Sequence, residues 1–238
     1  MTHQGRWVTE KEEMSIRYKA IVIDHDDTAF DSTPSVHYPA YVRYCEEKMP
    51  KDFKMLTLEG WYEMLWHSDI SVYQKEVMKL TPEEQKIEFF MWKEFVGRFT
   101  PNMFPGFLEF LKEFRRRGGI IAVCSHSTQD DIERNYARYN FQPEVIYGYS
   151  REHPEMCKPY TYPIENLKEK YHLEAKDIAM IDDLSPGFQM AKKCGVDCIG
   201  VIYGKGHDTI KGEIAKTCKK TFDTVEGLKE YILMNTEE

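Results

Sequence analysis

Three carboxylates fall within four positions where an apolar run ends: Asp24, Asp26 and Asp27 in KAIVIDHDDTAFDS, residues 19–32. A second acidic pair, Asp182-Asp183, closes another apolar run, DIAMIDD. Between them in sequence come Ser125, at the end of IIAVCS, and Lys158, in a Lys-Pro step. Two acidic clusters meeting at one edge make a site for a hard cation. Mg2+ in particular favours one or two carboxylates completed by substrate phosphate and water.

These residues meet only if the elements that carry them do. Around them, strand-length apolar runs alternate with helical patterns. IIAVCS is followed by a predicted helix over TQDDIERNYARY, a strand over EVIYGY, a helix over YPIENLKEKYH and the strand DIAMIDD. The helix PGFQMAKKCG and the strand CIGVIYG come next. Near-continuous apolar strands separated by helices belong to a parallel sheet covered on both faces. Such sheets bind ligands at the carboxyl ends of their strands. Asp24, Asp26, Ser125, Asp182 and Asp183 all fall at such ends, with Lys158 in the connection between the third and fourth strands.

Residues 34–100 differ: they are rich in aromatics and helix formers and hold no convincing strand. Thr81-Pro82-Glu83-Glu84 is a helix start, with Thr81 as cap, Pro82 in the first turn and Glu84 able to reach back. Trp61, Trp66, Phe89, Phe90, Trp92 and Phe95 are expected to form the core of this helical part. The organisation predicted is an N-terminal extension over 1–16, a catalytic core over 17–32 and 101–238, and a helical unit over 33–100.

Taken together, the motifs resemble those of the haloacid dehalogenase-like (HAD) superfamily of phosphohydrolases. VIDHDDT fits its strand followed by DxDx[TV]; Ser125 matches the strand-ending Ser/Thr, Lys158-Pro159 the lysine motif, and Asp182-Asp183 the final acidic pair. The resemblance covers roughly residues 17–232. It implies an α/β fold with a Rossmann-like parallel sheet and an inserted α-helical cap. It also implies Mg2+ as cofactor, held by Asp24, the backbone carbonyl of Asp26, Asp183 and, as ligand or supporting partner, Asp182. Asp24 would be the nucleophile and Asp26 the general acid and then base. Ser125 and Lys158 would bind the phosphoryl group, and Thr28 would brace the loop. His25 and His126 sit within the motifs and are candidates for substrate contact. Two positions depart from the commoner pattern: Asp27 where many relatives have Gly, and Gly187 where a further Asp is frequent. Dehalogenating and phosphonate-cleaving members lack the second Asp, so Asp26 implies phosphoryl transfer from oxygen. The reading is a phosphoric monoester hydrolase acting through an aspartyl-phosphate. The alternatives are a phosphosugar mutase of the same family and a non-catalytic phosphate-binding module.

The chemistry needs these groups. A carboxylate approaching a phosphate dianion at about 4 Å is repelled by about 8 kcal/mol at an effective dielectric near 20. Mg2+ and Lys158 oppose that repulsion. Other features read more plainly. Asp27 is expected to serve as a turn residue and Ser185, before Pro186, as a helix cap. Arg43, His37, Trp61, His67, Lys75 and Arg98 are candidates to touch the rest of the substrate. The 238 residues carry a net charge of −8, which disfavours a general nucleic-acid binder. No apolar stretch reaches membrane-spanning length and no signal-peptide pattern opens the chain. The six cysteines form no CxxC pair and are read as reduced thiols of a cytoplasmic protein. The partner expected is a small phosphorylated substrate.

Overall fold

β1 (Ala20–Ile23) is an unbroken apolar run with every residue buried, which places it at the centre of the sheet rather than at an edge. The computed structural model describes residues 15–234, so residues 1–14 of the expected N-terminal extension lie outside the described residues. β1 pairs in parallel with β2 (Ile120–Cys124) on one side and β4 (Ile178–Asp182) on the other. β3 (Val145–Tyr147) lies outside β2; β5 (Asp197–Val201) and β6 (Lys220–Phe222) lie outside β4. The order is β3-β2-β1-β4-β5-β6, all parallel. In this order the chain reverses direction across the sheet beside β1, and the crevice at the carboxyl ends there is where such sheets hold ligands. The alternating strands and helices confirm the Rossmann-like parallel sheet expected from the sequence.

Strand residues alternate between faces, and each face has its own helices. Ile21, Ile23, Ile121, Val123, Ala179 and Ile181 pack on one side. They meet Phe107, Phe110, Leu111 and Phe114 of a helix over Phe107–Arg116. These four side chains recur at helical spacing and form one apolar stripe. Ala20, Val22, Ala122 and Met180 pack on the other side with Ile164 and Leu167 of the helix Tyr162–Tyr171 and Met190 and Ala191 of the helix Ser185–Cys194.

Between β1 and β2 the chain inserts a wide helical turn, Thr33–His37, and four helices: α1 (Tyr38–Lys48), α2 (Leu58–His67), α3 (Ile70–Glu76) and α4 (Pro82–Arg98). The capping box at Thr81 and Glu84 is present at the start of α4. The incoming and outgoing chains of this insertion pair with each other. The Asp31 N–H donates to the Asn102 carbonyl at 2.9 Å, and Phe30 forms an antiparallel bridge with Met103.

The aromatic residues of the insertion do not share one core. Trp61 does pack inside it, against Tyr41. Trp66 instead packs on Phe188, Ile210 and Ile214, which belong to the sheet-bearing part. Phe90 is 69% exposed. A helix seated between its own bundle and a second body has two buried faces, so periodicity alone overstates its core.

Truncating a filled core and trimming a solvent-facing ring differ in consequence. Phe110→Ala should lower unfolding free energy by about 3–5 kcal/mol, whereas Phe90→Ala should leave it within about 0.5 kcal/mol. Urea denaturation of the two variants measures both.

Candidate active site

The parallel register sets the first contact. Ile23 is level with Ile181, so the next residues, Asp24 and Asp182, emerge side by side at the sheet edge. The Asp24 N–H donates to the Ile181 carbonyl at 2.9 Å, which extends the pairing to the point where the acids begin. Lys158 enters between them, its Nζ 2.8 Å from Asp24 Oδ2 and 2.7 Å from Asp182 Oδ2. All three side chains are buried.

Asp183 completes a cluster. Asp24, Asp182 and Asp183 each offer an oxygen, and these oxygens lie within 4.8 Å of one another. Asp182 Oδ1 accepts the backbone N–H of Asp183 and of Leu184, which fixes its carboxylate. Thr28 Oγ1 donates to Asp183 Oδ1 at 3.3 Å, joining the loop after β1 to the acid after β4. On its other side Asp183 Oδ2 meets His207 Nε2 at 2.8 Å. His207 Nδ1 faces the Gly204 carbonyl at 3.0 Å. With an acceptor at each nitrogen, the ring donates twice and is an imidazolium. Burial opposes that charge, but the bond to Asp183 prevails and raises the pKa of His207 to about 9.

The remaining acids divide the work. Asp26 is ringed by donors: His37 Nε2 at 2.9 Å from Oδ1, and the Ser125 and Ser127 hydroxyls at 3.1 and 2.7 Å from Oδ2. Burial would raise its pKa, yet His37 outweighs burial and holds it well below the carboxylate range. Asp26 in turn draws the His37 pKa up against burial, while the Trp92 indole N–H, 3.0 Å from Nδ1, occupies the nitrogen a second proton would need. Asp27 has a left-handed backbone, φ 56°, as a turn residue does. Its side chain does more than turn the chain. It accepts the N–H groups of Ser32 and Thr33 and the Tyr62 hydroxyl at 2.9 Å, fastening the insertion to the loop after β1.

The other expected residues are placed as follows. His126 Nε2 donates to the Lys158 carbonyl at 2.8 Å. The ring of His25 packs on Phe30 and Tyr136, with Nε2 3.0 Å from the Asn135 amide. Ser185 does not cap its helix; Leu184 holds that position, and the Ser185 hydroxyl donates to the Trp66 carbonyl of the insertion at 2.8 Å. Of the six side chains of the insertion expected to face substrate, His37 reaches the site. Arg43, Lys75 and Arg98 are paired at the surface with Glu47, Glu76 and Glu94. His67 is exposed, and Trp61 is inside the insertion. His207, Ser127 and Tyr62 have no role in the sequence pattern, and Trp92 is expected there only as core, yet it donates to His37. His207 was within reach of that reading, since it follows the carboxyl end of β5.

Gly187 is explained by contact. A Cβ there would lie 1.9 Å from Asp182 Oδ2, the oxygen that holds Lys158. A larger side chain displaces the carboxylate or the helix.

The donor set fits Mg2+. Its three side chains offer hard oxygen ligands only. Burial raises Asp24 well above the usual carboxylate range; Lys158 opposes this, and Asp182, Asp183 and Asp26 reinforce it. Asp24 and Asp182, pushed towards protonation by burial and by neighbouring carboxylates, are relieved by a divalent cation.

A family model described as haloacid dehalogenase-like hydrolase matches residues 21–201. Comparison with curated proteins finds no match. Among solved structures, the chain is similar to one described as a predicted phosphoglycolate phosphatase from Haemophilus somnus, at 18% identity and a TM-score of 0.72, covering 92% of this chain and 99% of that one. A predicted phosphatase from Clostridium acetobutylicum is similar at 18% identity and a TM-score of 0.68, covering 91% and 99%. CbbY from Rhodobacter sphaeroides, solved with phosphate, is similar at 16% identity and a TM-score of 0.62, covering 87% and 94%. At such identities these likenesses speak for the shared fold.

The buried charges make stability depend on pH. Burial, then Asp183, raises Asp27 to about 7. Burial, opposed by Lys158 and aided by Asp183, raises Asp182 to about 6. An acid whose folded pKa is raised stabilises the fold below its unfolded pKa and loses that contribution as pH climbs through the folded value. For His207 the contribution is likewise full below its unfolded pKa and lost as pH rises through about 9. These three signs agree, but burial holds His25 down to about 4, and a depressed histidine works the other way between that value and its unfolded pKa. Above neutral pH that opposition is spent, so in chelator the urea midpoint should fall as pH rises through about 9, and Mg2+ should recover most of the loss. A flat or rising profile contradicts the assigned charges.

Proposed function

The chain belongs to the haloacid dehalogenase-like hydrolases, and we propose that it is a Mg2+-dependent phosphatase that hydrolyses a small phosphorylated metabolite through an aspartyl-phosphate on Asp24. The observation that carries this reading is the convergence of Asp24, Lys158, Asp182 and Asp183, with Asp26 and Ser125 joined beside them.

The roles follow from the contacts. The Asp24 carboxylate attacks phosphorus; an O–P bond forms to Asp24 as the bond to the leaving oxygen breaks. Lys158 offsets the charge shared by nucleophile and phosphoryl group. It remains an ammonium because Asp182 and Asp24 outweigh burial and raise its pKa well above the lysine range. Asp26 gives a proton to the leaving oxygen, then takes one from the water that attacks phosphorus and frees Asp24. Before substrate arrives Asp26 is held ionised, so the first step needs its pKa raised. An arriving phosphoryl group does this in two ways. Its negative charge disfavours the carboxylate, and the Ser125 hydroxyl turns from Asp26 to a phosphoryl oxygen. Mg2+ held by Asp24, Asp183 and the Asp26 carbonyl, with Asp182 as ligand or supporting partner, would reduce the repulsion between nucleophile and phosphate and stabilise charge in the transition state.

The insertion acts as a cap in this reading. Asp26, His37, Trp92, Val96, Phe99 and Ser127 are among the residues lining a cavity of about 10 Å³, room for at most about one water. Substrate enters when the insertion lifts, and closure excludes water from the first step.

Phosphate release from a panel of phosphorylated metabolites and an aryl phosphate tests the proposal. The wild type should turn over with Mg2+ and stop in chelator. Asp24→Asn should lose at least about a thousandfold in kcat. Acid-quenched wild type should carry a phosphoryl mass that Asp24→Asn lacks. Full activity in that variant sinks the assigned nucleophile; an isomerised sugar phosphate without net release points to a mutase instead.

A further inference from the structure

One chain of contacts runs from the insertion to Asp26. Trp92 lies on α4, and its Nε1–H donates to His37 Nδ1 at 3.0 Å. The two rings stack, 5.9 Å apart with 24° between their planes. His37 Nε2 then meets Asp26 Oδ1 at 2.9 Å. An indole nitrogen only donates. Nδ1 must therefore accept, and the proton of the neutral imidazole sits on Nε2, aimed at Asp26. The other tautomer would set a lone pair against the carboxylate and two hydrogens against each other at the indole.

α4 is itself fastened to the sheet-bearing part next to Trp92. Lys93 Nζ pairs with Asp131 at 2.6 Å, and the Val96 carbonyl accepts from Arg134 at 3.0 Å. Asp131 is fixed in turn by Thr128 and Arg134. The seat of α4 thus determines where the indole N–H points.

We propose that Trp92 is a positioning residue for Asp26: by selecting the His37 tautomer it holds the acid–base carboxylate in one orientation, and it does so only while the insertion is seated. The proposal rests on the phosphatase reading for its kinetic consequence, but the tautomer itself needs no substrate. Trp92 touches no reacting group, and His37 touches only the Asp26 carboxylate. Their effect is on how often Asp26 stands ready, so it falls on kcat more than on KM.

Two measurements test this. In the first, histidine nitrogen NMR at mildly alkaline pH should find His37 in the wild type with its proton on Nε2, and in Trp92→Phe as a mixture of tautomers. A proton on Nδ1 in the wild type, or an unchanged ring in Trp92→Phe, overturns the proposal whether or not any substrate is turned over. The second is a double-mutant cycle. Trp92→Phe should lower kcat about tenfold with KM little changed, whereas in a His37→Ala background the same change should cost nothing further. Equal losses in both backgrounds would mean that the indole merely supports α4, and would overturn it too. Thermal melts of each variant separate a folding defect from either result. Loss of the phosphatase reading would appear separately, as no phosphate release by the wild type with Mg2+.

Discussion

Lys158 bridging Asp24 and Asp182 is the contact on which the rest of the site depends. Asp24, Asp26, Asp27, Asp182 and Asp183 crowd one sheet edge, and each close pair of like charges costs about 4 kcal/mol at about 4 Å and an effective dielectric near 20. Against them stand one buried ammonium, the His207 imidazolium and the donors around Asp26. The balance still leaves an excess of negative charge, and the donor set left with that excess is made of oxygens. The same imbalance that strains the metal-free site makes it receptive to a divalent cation.

That concentration of charge is possible because the sheet beneath it is rigid and apolar. β1 and β4 are buried throughout and matched residue for residue, so the acids that follow them have little freedom to spread apart. Helices on both faces seal the strands from water. The insertion closes the remaining side through several separate attachments: Tyr62 on Asp27, Trp66 on Phe188 and Lys93 on Asp131. Each attachment joins a side chain of the insertion to a loop or helix bordering the acids, so movement of the insertion is felt at the site.

The strand-end residues were legible because each stands where an apolar run stops, and strand ends are where such sheets place their ligands. Asp24, Ser125 and Asp182 needed only that rule, and Lys158 needed the order of the motifs around it. His37 was visible as a candidate, but its partner was not, since Trp92 lies 55 residues away on a helix whose seating is tertiary. Trp92 and Phe90 look alike in sequence, yet one donates to His37 and the other faces solvent. The surface pairing of Arg43 and Arg98 is legible in sequence, since each has a glutamate four residues away, the spacing of a surface ion pair. β6 is not legible in sequence because Lys220–Phe222 is too short and too exposed to show an apolar run. Gly187 was noticed only as a departure; its reason, the carboxylate pressed against it, exists only in three dimensions.

The paired chains at the base of the insertion have a consequence of another kind. Because Asp31 and Asn102 are already hydrogen-bonded neighbours, the chain leaves for the insertion and returns from it through one two-stranded neck, and the other attachments are made by side chains. β1, the acids after it and β2 do not rely on the length of what lies between, so the helices beyond the neck behave as a graft on a fixed stock. Helical units of different shape could be exchanged at that junction with the sheet left intact, provided that they restore the contacts to Asp26 and Asp27. The sheet and the helices beyond the neck are therefore free to change at different rates, save at the side chains that join them.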